Sequence, residues 1–264
     1  VPLRIPREHP LLPRRPSDGV EATWSDRGAP LRPELEAHRE RTMQKTLTLY
    51  DTTIGKKAVV AVTGLVFYGF VIVHMLGNLQ LFLGPEVFNG YAETLKSNAA
   101  ILWGARSVLL VSLALHVVTS LSLVSHSAGA RSVGYRTRQY KATTPAALSM
   151  RFGGPALLFF ILYHLAHFTF PGVAMGGHYQ HSATDVYSNV VHGFSVPWVA
   201  GLYVVAMVFL GLHLHHGAWS MLQTLGLAHP RYTGKLKLVP PAIGLGVAGG
   251  NILLVLSVLA GIVK

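Results

Sequence analysis

The chain has 264 residues; half are hydrophobic, 12% are charged, none is cysteine, and the formal net charge is +11. A water-soluble domain of this size would be about one quarter charged, so the composition argues against a soluble fold. The lack of cysteine excludes disulfides, thiolate-held iron–sulfur clusters and CxxCH haem attachment.

The charge is unevenly spread along the chain. Residues 1–42 hold eight Lys/Arg, seven Asp/Glu and seven prolines, with little apolar periodicity. They read as a disordered, solvated lead, and Met43 is a candidate biological start. The remaining 222 residues hold only four acids: Asp51, Glu86, Glu93 and Asp185. Residues 43–264 form the second unit, a membrane domain. Five apolar runs there reach the roughly 20 residues that a spanning helix needs: 58–82, 103–126, 152–171, 196–222 and 239–263. Helices are expected, because lipid leaves open backbone groups unsatisfied. The fold class is thus all-α, a bundle of five transmembrane helices. The connections, such as "GPEVFNGYAETLKSN", carry turn residues and charge and are expected as loops. Glu93 reads as a solvated loop acid, with a proton acceptor as the sharper alternative.

Basic residues set the topology. Lys45, Lys56 and Lys57 precede the first run, five Lys/Arg from Arg131 to Arg151 separate the second and third, and Arg231, Lys235 and Lys237 separate the fourth and fifth. That makes eleven on one side, against Lys96, Arg106 and Lys264 on the other. The positive-inside rule then places the N-terminus in the cytoplasm and the C-terminus outside, in the inner (cytoplasmic) membrane. The net charge is a membrane-topology signal, with no basic stripe interleaved with aromatics to bind nucleic acid.

With that topology each histidine acquires a depth. His74 lies 16 residues into the first run and His164 lies 13 past Arg151, or roughly 24 and 20 Å at 1.5 Å per residue. Both fall in the outer half. His116 and His213 fall in the inner half of runs that descend. The expected pairs are His74 with His164 and His116 with His213, each able to hold the iron of a bis-histidine haem through neutral imidazoles. Intramembrane ionisable residues are functional candidates, and here each has a partner. By spacing alone His167 shares a face with His164, and His216 with His213, so both stay open as ligands. Gly217 favours His213 by leaving room beside it. The histidines at 126, 178, 181, 192 and 229 read as interfacial. Arg106 and Arg151 have two readings, snorkelling at helix ends and pairing with haem propionates. The many helix glycines suggest close packing. "GVAGG" in the last run, from Gly246 to Gly250, has GxxxG spacing and no histidine, so that run is expected to pack or oligomerise.

The run "AVTGLVFYGFVIVHMLGN" (61–78), with Thr-Gly eleven and ten residues ahead of His74, resembles the first membrane helix of the di-haem cytochrome b anchors of succinate dehydrogenase and quinol:fumarate reductase (complex II). "GPEVFN" (84–89), "LALHVV" (113–118), "MRFGGPALLFFILYH" (150–164) and "GLHLHHGAWSMLQTLGL" (211–227) are similar too. The likeness covers nearly everything from about residue 50 onward. It implies a five-helix anchor with two haems b, docked to a flavoprotein and an iron–sulfur subunit and exchanging electrons with quinone, menaquinone being expected. It implies electron transport feeding the tricarboxylic acid cycle reaction, with no dicarboxylate site on this chain. It also implies the four ligands His74, His164, His116 and His213. In the family a Gly and a Trp follow the last ligand at the spacing of Gly217 and Trp219, which selects His213 over its neighbours, and the family's arginine falls on Arg151. Two other classes stay open: a di-haem cytochrome b of a hydrogenase or formate dehydrogenase type, and a haem-free, histidine-lined metal or proton transporter.

Overall fold

The computed structural model describes residues 49–130, 143–170 and 181–264. The lead at 1–42, His178 and most of the basic connection from Arg131 lie outside the described residues. Among the described residues eight α-helices follow in order: α1 (Thr53–Leu79), α2 (Pro85–Ser97), α3 (Ala99–Gly129), α4 (Pro145–Phe168), α5 (Val186–Ser195), α6 (Pro197–Thr224), the single turn α7 (Thr233–Leu236) and α8 (Val239–Leu259). Five segments are helical, long and apolar enough to cross a membrane, built on α1, α3, α4, α6 and α8. The chain is therefore a multi-pass membrane protein. Side chains such as Val111, Val118 and Leu121 on α3 face outward, as they should where the solvent is lipid.

Helix starts follow the sequence. Thr52 Oγ1 accepts from the Gly55 amide (2.9 Å), Asn98 Oδ1 from Ile101 (3.1 Å) and Thr144 Oγ1 from Ala147 (3.2 Å). Each satisfies an amide that the first turn leaves open. Pro85, Pro145 and Pro197 occupy first-turn positions, where a missing amide costs nothing. At Gly84 the chain turns with φ of 94° before entering α2, a conformation that a Cβ would resist.

The expected loops at 84–98 and before the fourth span are corrected here. Both contain amphipathic helices, α2 and α5, which pack together at the end of the bundle that carries the C-terminus. Their apolar residues Phe88, Tyr187 and Phe194 join Leu81, Tyr203 and Val255 in the largest buried cluster. A polar junction locks them: Asn89 Nδ2 donates to Asp185 Oδ1 (3.0 Å) and the Tyr187 amide donates to Asn89 Oδ1 (2.9 Å). The Tyr187 hydroxyl donates to the Lys264 carbonyl (3.0 Å). Asp185 also accepts from the Ser188 hydroxyl (2.6 Å) and amide (3.1 Å). These bonds, the Ser188 hydroxyl first, then its amide, then Asn89, hold the Asp185 carboxyl below the usual carboxylate range.

The sign follows from the depressed value. The stabilisation is complete above the ordinary carboxylate pKa of about 4 and is lost as pH falls through the folded value. Hydrogen exchange of α5 amides, relative to intrinsic rates, should accelerate below about pH 4. Asp185→Ala should do the same at neutral pH, at a cost of about 1 kcal/mol for the lost cap. Exchange in α5 that ignores both changes would remove Asp185 as its anchor.

Within the membrane the closest backbone contacts run α3–α1–α6–α4, and α8 packs on α6 and α1. Lipid offers no hydrophobic drive between helices, so close packing and hydrogen bonds must hold them. Tyr50 Oη lies 3.2 Å from Thr119 Oγ1, the Lys56 ammonium donates to Ser122 Oγ (2.8 Å), and the Tyr68 hydroxyl donates to the Leu214 carbonyl. These bonds tie α1 to α3 and to α6.

Candidate functional site

In that order of contacts, α1–α4 and α3–α6 face each other across the bundle without being close backbone neighbours. Histidines bridge both. The His74 and His164 rings have centroids 5.8 Å apart across α1–α4, toward the C-terminal end. The His116 and His213 rings are 6.3 Å apart across α3–α6, toward the other end. The pairs expected from depth are the pairs that meet.

The spacing suits one metal between two imidazoles. With metal–nitrogen bonds of about 2 Å and ring nitrogens roughly 1 Å from the centroid, two coaxial imidazoles stand about 6 Å apart. Among the described residues no three His, Cys, Asp or Glu side chains converge. Two protein donors leave a bare zinc ion short of its usual set, whereas a haem, which brings nitrogen donors of its own, would ask only two residues of the chain.

The supporting hydrogen bonds come from helices that carry the other pair. Thr63 on α1 is buried, and its hydroxyl donates to the Val59 carbonyl (2.8 Å). Its oxygen is then free to accept from His116 Nδ1 at 3.0 Å. That fixes the proton on Nδ1 and leaves the Nε2 lone pair available. Gly64 follows, and a Cβ there would meet His116 Cε1 at 3.7 Å. The Thr-Gly pair thus shapes the His116 site, while His74, farther along α1, belongs to the other. Tyr203 on α6 mirrors this: its hydroxyl lies 3.2 Å from His164 Nδ1 and 3.1 Å from His167 Nδ1, whereas His213 on the same helix serves the opposite pair.

His213 Nδ1 is sealed from solvent and has no hydrogen-bond partner among the described residues. Buried polar atoms are nearly always partnered, so this ring has capacity for a group outside the chain. His74 differs, since its Nε2 lies 3.3 Å from Asn78 Nδ2 on the same helix; ligation through that atom requires the amide to yield. Aromatic rings wall both pairs: Phe70 stacks on His74 and Phe160 on His164, while Phe67 meets His116 edge-on.

Of the two neighbours left open by spacing, the structure separates His167. His167 turns to Tyr203 and packs on Gly193, where a Cβ would lie 2.9 Å from its Cε1. His215 faces Gly244 of α8. Arg106 stacks on Trp103, with Cζ 5.0 Å from the ring centroid, and Arg151 is exposed near the start of α4. Neither guanidinium bonds to a histidine among the described residues. Glu93 is exposed on α2. The glycines divide: Gly77, Gly153 and Gly211 lie against Tyr91, Phe209 and α8, whereas a Cβ at Gly69, Gly154 or Gly217 would enter open space. Thr63 and Tyr203 escaped the reading of the sequence as site residues. The one signal was the Thr-Gly pair itself, a hydroxyl beside a gap in an otherwise apolar helix. No protein family, curated protein or solved structure matches the chain.

Proposed function

We propose that the chain is the membrane-anchor cytochrome b subunit of a succinate:quinone oxidoreductase, with two haems b held by His74 and His164 and by His116 and His213. The single observation that carries this reading is the meeting of four histidines in two pairs, at 5.8 and 6.3 Å, across facing helices. The unpartnered His213 Nδ1, the Nδ1 bond of His116 and the open space beside Gly217 favour it. When bound, each haem supplies a one-electron redox centre whose potential depends on its axial ligands and their hydrogen bonds. The chain's own residues hold and orient the imidazoles and line the site with aromatic rings that keep water away.

The complex II assignment rests on the resemblance of the membrane helices. In it, Lys56, Arg151, Lys235 and Lys237 mark the cytoplasmic end, and flavoprotein and iron–sulfur subunits dock there. Menaquinone is the expected exchangeable substrate, and the cytoplasmic membrane the location. Purified with its partners from its native membrane, the chain should show a reduced b-type band after dithionite. The assembly should reduce quinone at the expense of succinate. Protease should cut the 131–142 connection only from the cytoplasmic side once the soluble subunits are stripped. A preparation without a b-type band defeats the haem reading. One with the band and a different soluble partner leaves a di-haem cytochrome b of another oxidoreductase.

A further inference from the structure

Tyr203 is buried, with 4% of its surface exposed, and its single hydroxyl stands between two imidazole nitrogens at nearly equal distances, 3.2 Å to His164 Nδ1 and 3.1 Å to His167 Nδ1. A phenol has one proton to give and lone pairs to receive others. The three groups therefore form a chain that can run in two directions. In one, His164 Nδ1–H donates to Tyr203, which donates to the bare Nδ1 of His167. In the other, His167 Nδ1–H donates to Tyr203, which donates to the bare Nδ1 of His164.

The directions differ in what His164 presents at its far nitrogen. A neutral imidazole carries one proton. With that proton on Nδ1, Nε2 has a lone pair to offer a metal. With Nδ1 bare, Nε2 carries the proton and cannot ligate. In the first direction His167 carries its proton on Nε2, the atom 3.0 Å from where a Cβ at Gly193 would stand. Phe160, Phe168 and Phe194 surround the phenol ring, so its hydroxyl has little freedom to turn to other partners.

We infer that Tyr203 and His167 form a tautomer lock for His164, with proton order His164 Nδ1–H to Tyr203 O–H to His167 Nδ1. Both are positioning residues, acting on a metal through His164. The proposal rests on the haem reading for its purpose and on the shared hydroxyl for its existence, and these can be tested apart. The lock also gives His167 a use other than ligation, which spacing alone left open.

The first measurement is ¹⁵N imidazole chemical shifts in the full chain in lipid, with haem removed, assigned with His164→Gln and His167→Gln. His164 should be protonated at Nδ1 and His167 at Nε2. A proton on His164 Nε2 overturns the lock, whatever the haem content. The second uses the haem-loaded complex. Tyr203→Phe should weaken retention at the His74–His164 site by about 10–100-fold, the usual cost of losing such a partner. It should also raise that component's midpoint potential, since the imidazole becomes a poorer donor, and leave the His116–His213 component unmoved. Unchanged retention and potential in a folded Tyr203→Phe chain overturn the proposal. Equal damage to both components shows a general packing defect and overturns it too. If the native complex has no b-type band, the function proposed above falls, and the nitrogen shifts still decide the lock.

Discussion

Alanine at His116 or His213 should delete one b-type component, and alanine at His74 or His164 should delete the other. Each proposed site has two protein donors, so removing one would leave a single histidine to hold the group. Total haem should fall by roughly half in each single variant, because the second site keeps both of its ligands. Within a pair the losses should not add: His116→Ala with His213→Ala should resemble either alone, as for residues that act as one unit. Across pairs they should add to nearly complete loss. His215→Ala should keep both components, because its Cβ lies against Gly244 on α8. Redox titration of the purified complex, with membrane insertion checked by gel filtration, reads all of this. If His116→Ala and His74→Ala deplete the same component, the pairing is wrong.

How far the chain could be read without coordinates varies by feature. The five spans were legible because lipid demands a length, and the apolar runs meet it. The histidine pairs were legible because a helix converts residue number into depth, and depth leaves few partners for a polar group in a membrane. His167 and His216 could not be separated from His164 and His213 by the same arithmetic, since residues three apart differ little in depth and share a face. Orientation about the helix axis decides between them, and only the neighbouring helices set it. The supporting hydroxyls were hidden for a related reason. Thr63 reaches His116 over 53 residues of sequence and Tyr203 reaches His164 over 39, so neither pair forms a local pattern. In α2 the turn residues Gly84, Asn89 and Gly90 drew attention from Pro85 at the first helical position and from the apolar face of Val87, Phe88 and Tyr91. Asn89, a turn former by habit, instead spends its amide on Asp185 and on Tyr187.

Gly244→Leu should be the most damaging change outside the histidines. The GxxxG run from Gly246 to Gly250 divides: a Cβ at Gly246 or Gly249 meets nothing within 4 Å, whereas one at Gly250 would stand 2.8 Å from Met75 Sδ, the flexible end of a side chain on α1. The approach of α8 to α6 runs through Gly244 and Ala248: a Cβ at Gly244 would stand 2.6 Å from the Gly211 carbonyl oxygen, and one at Gly211 would stand 3.0 Å from Ala248 Cβ. Both obstacles to a larger residue are fixed groups, a backbone carbonyl and a β-carbon, so the helices themselves must separate. Overpacking of this kind costs about 1–3 kcal/mol, and more where backbone must move. Gly211 precedes His213 by two residues and Tyr203 lies on the same helix, so displacing α6 disturbs both sites from one contact. The Gly244→Leu complex should melt lower and lose the His116–His213 component first, because that pair lies closer to the wedge than Tyr203 does. Gly246→Leu and Gly249→Leu, which add the same bulk toward open space, should melt and bind haem like the native chain. The opposite result, a tolerated leucine at 244 and a collapsed assembly with leucine at 246, would mean that the GxxxG face seats a second copy and that α6 and α8 do not pack through Gly211.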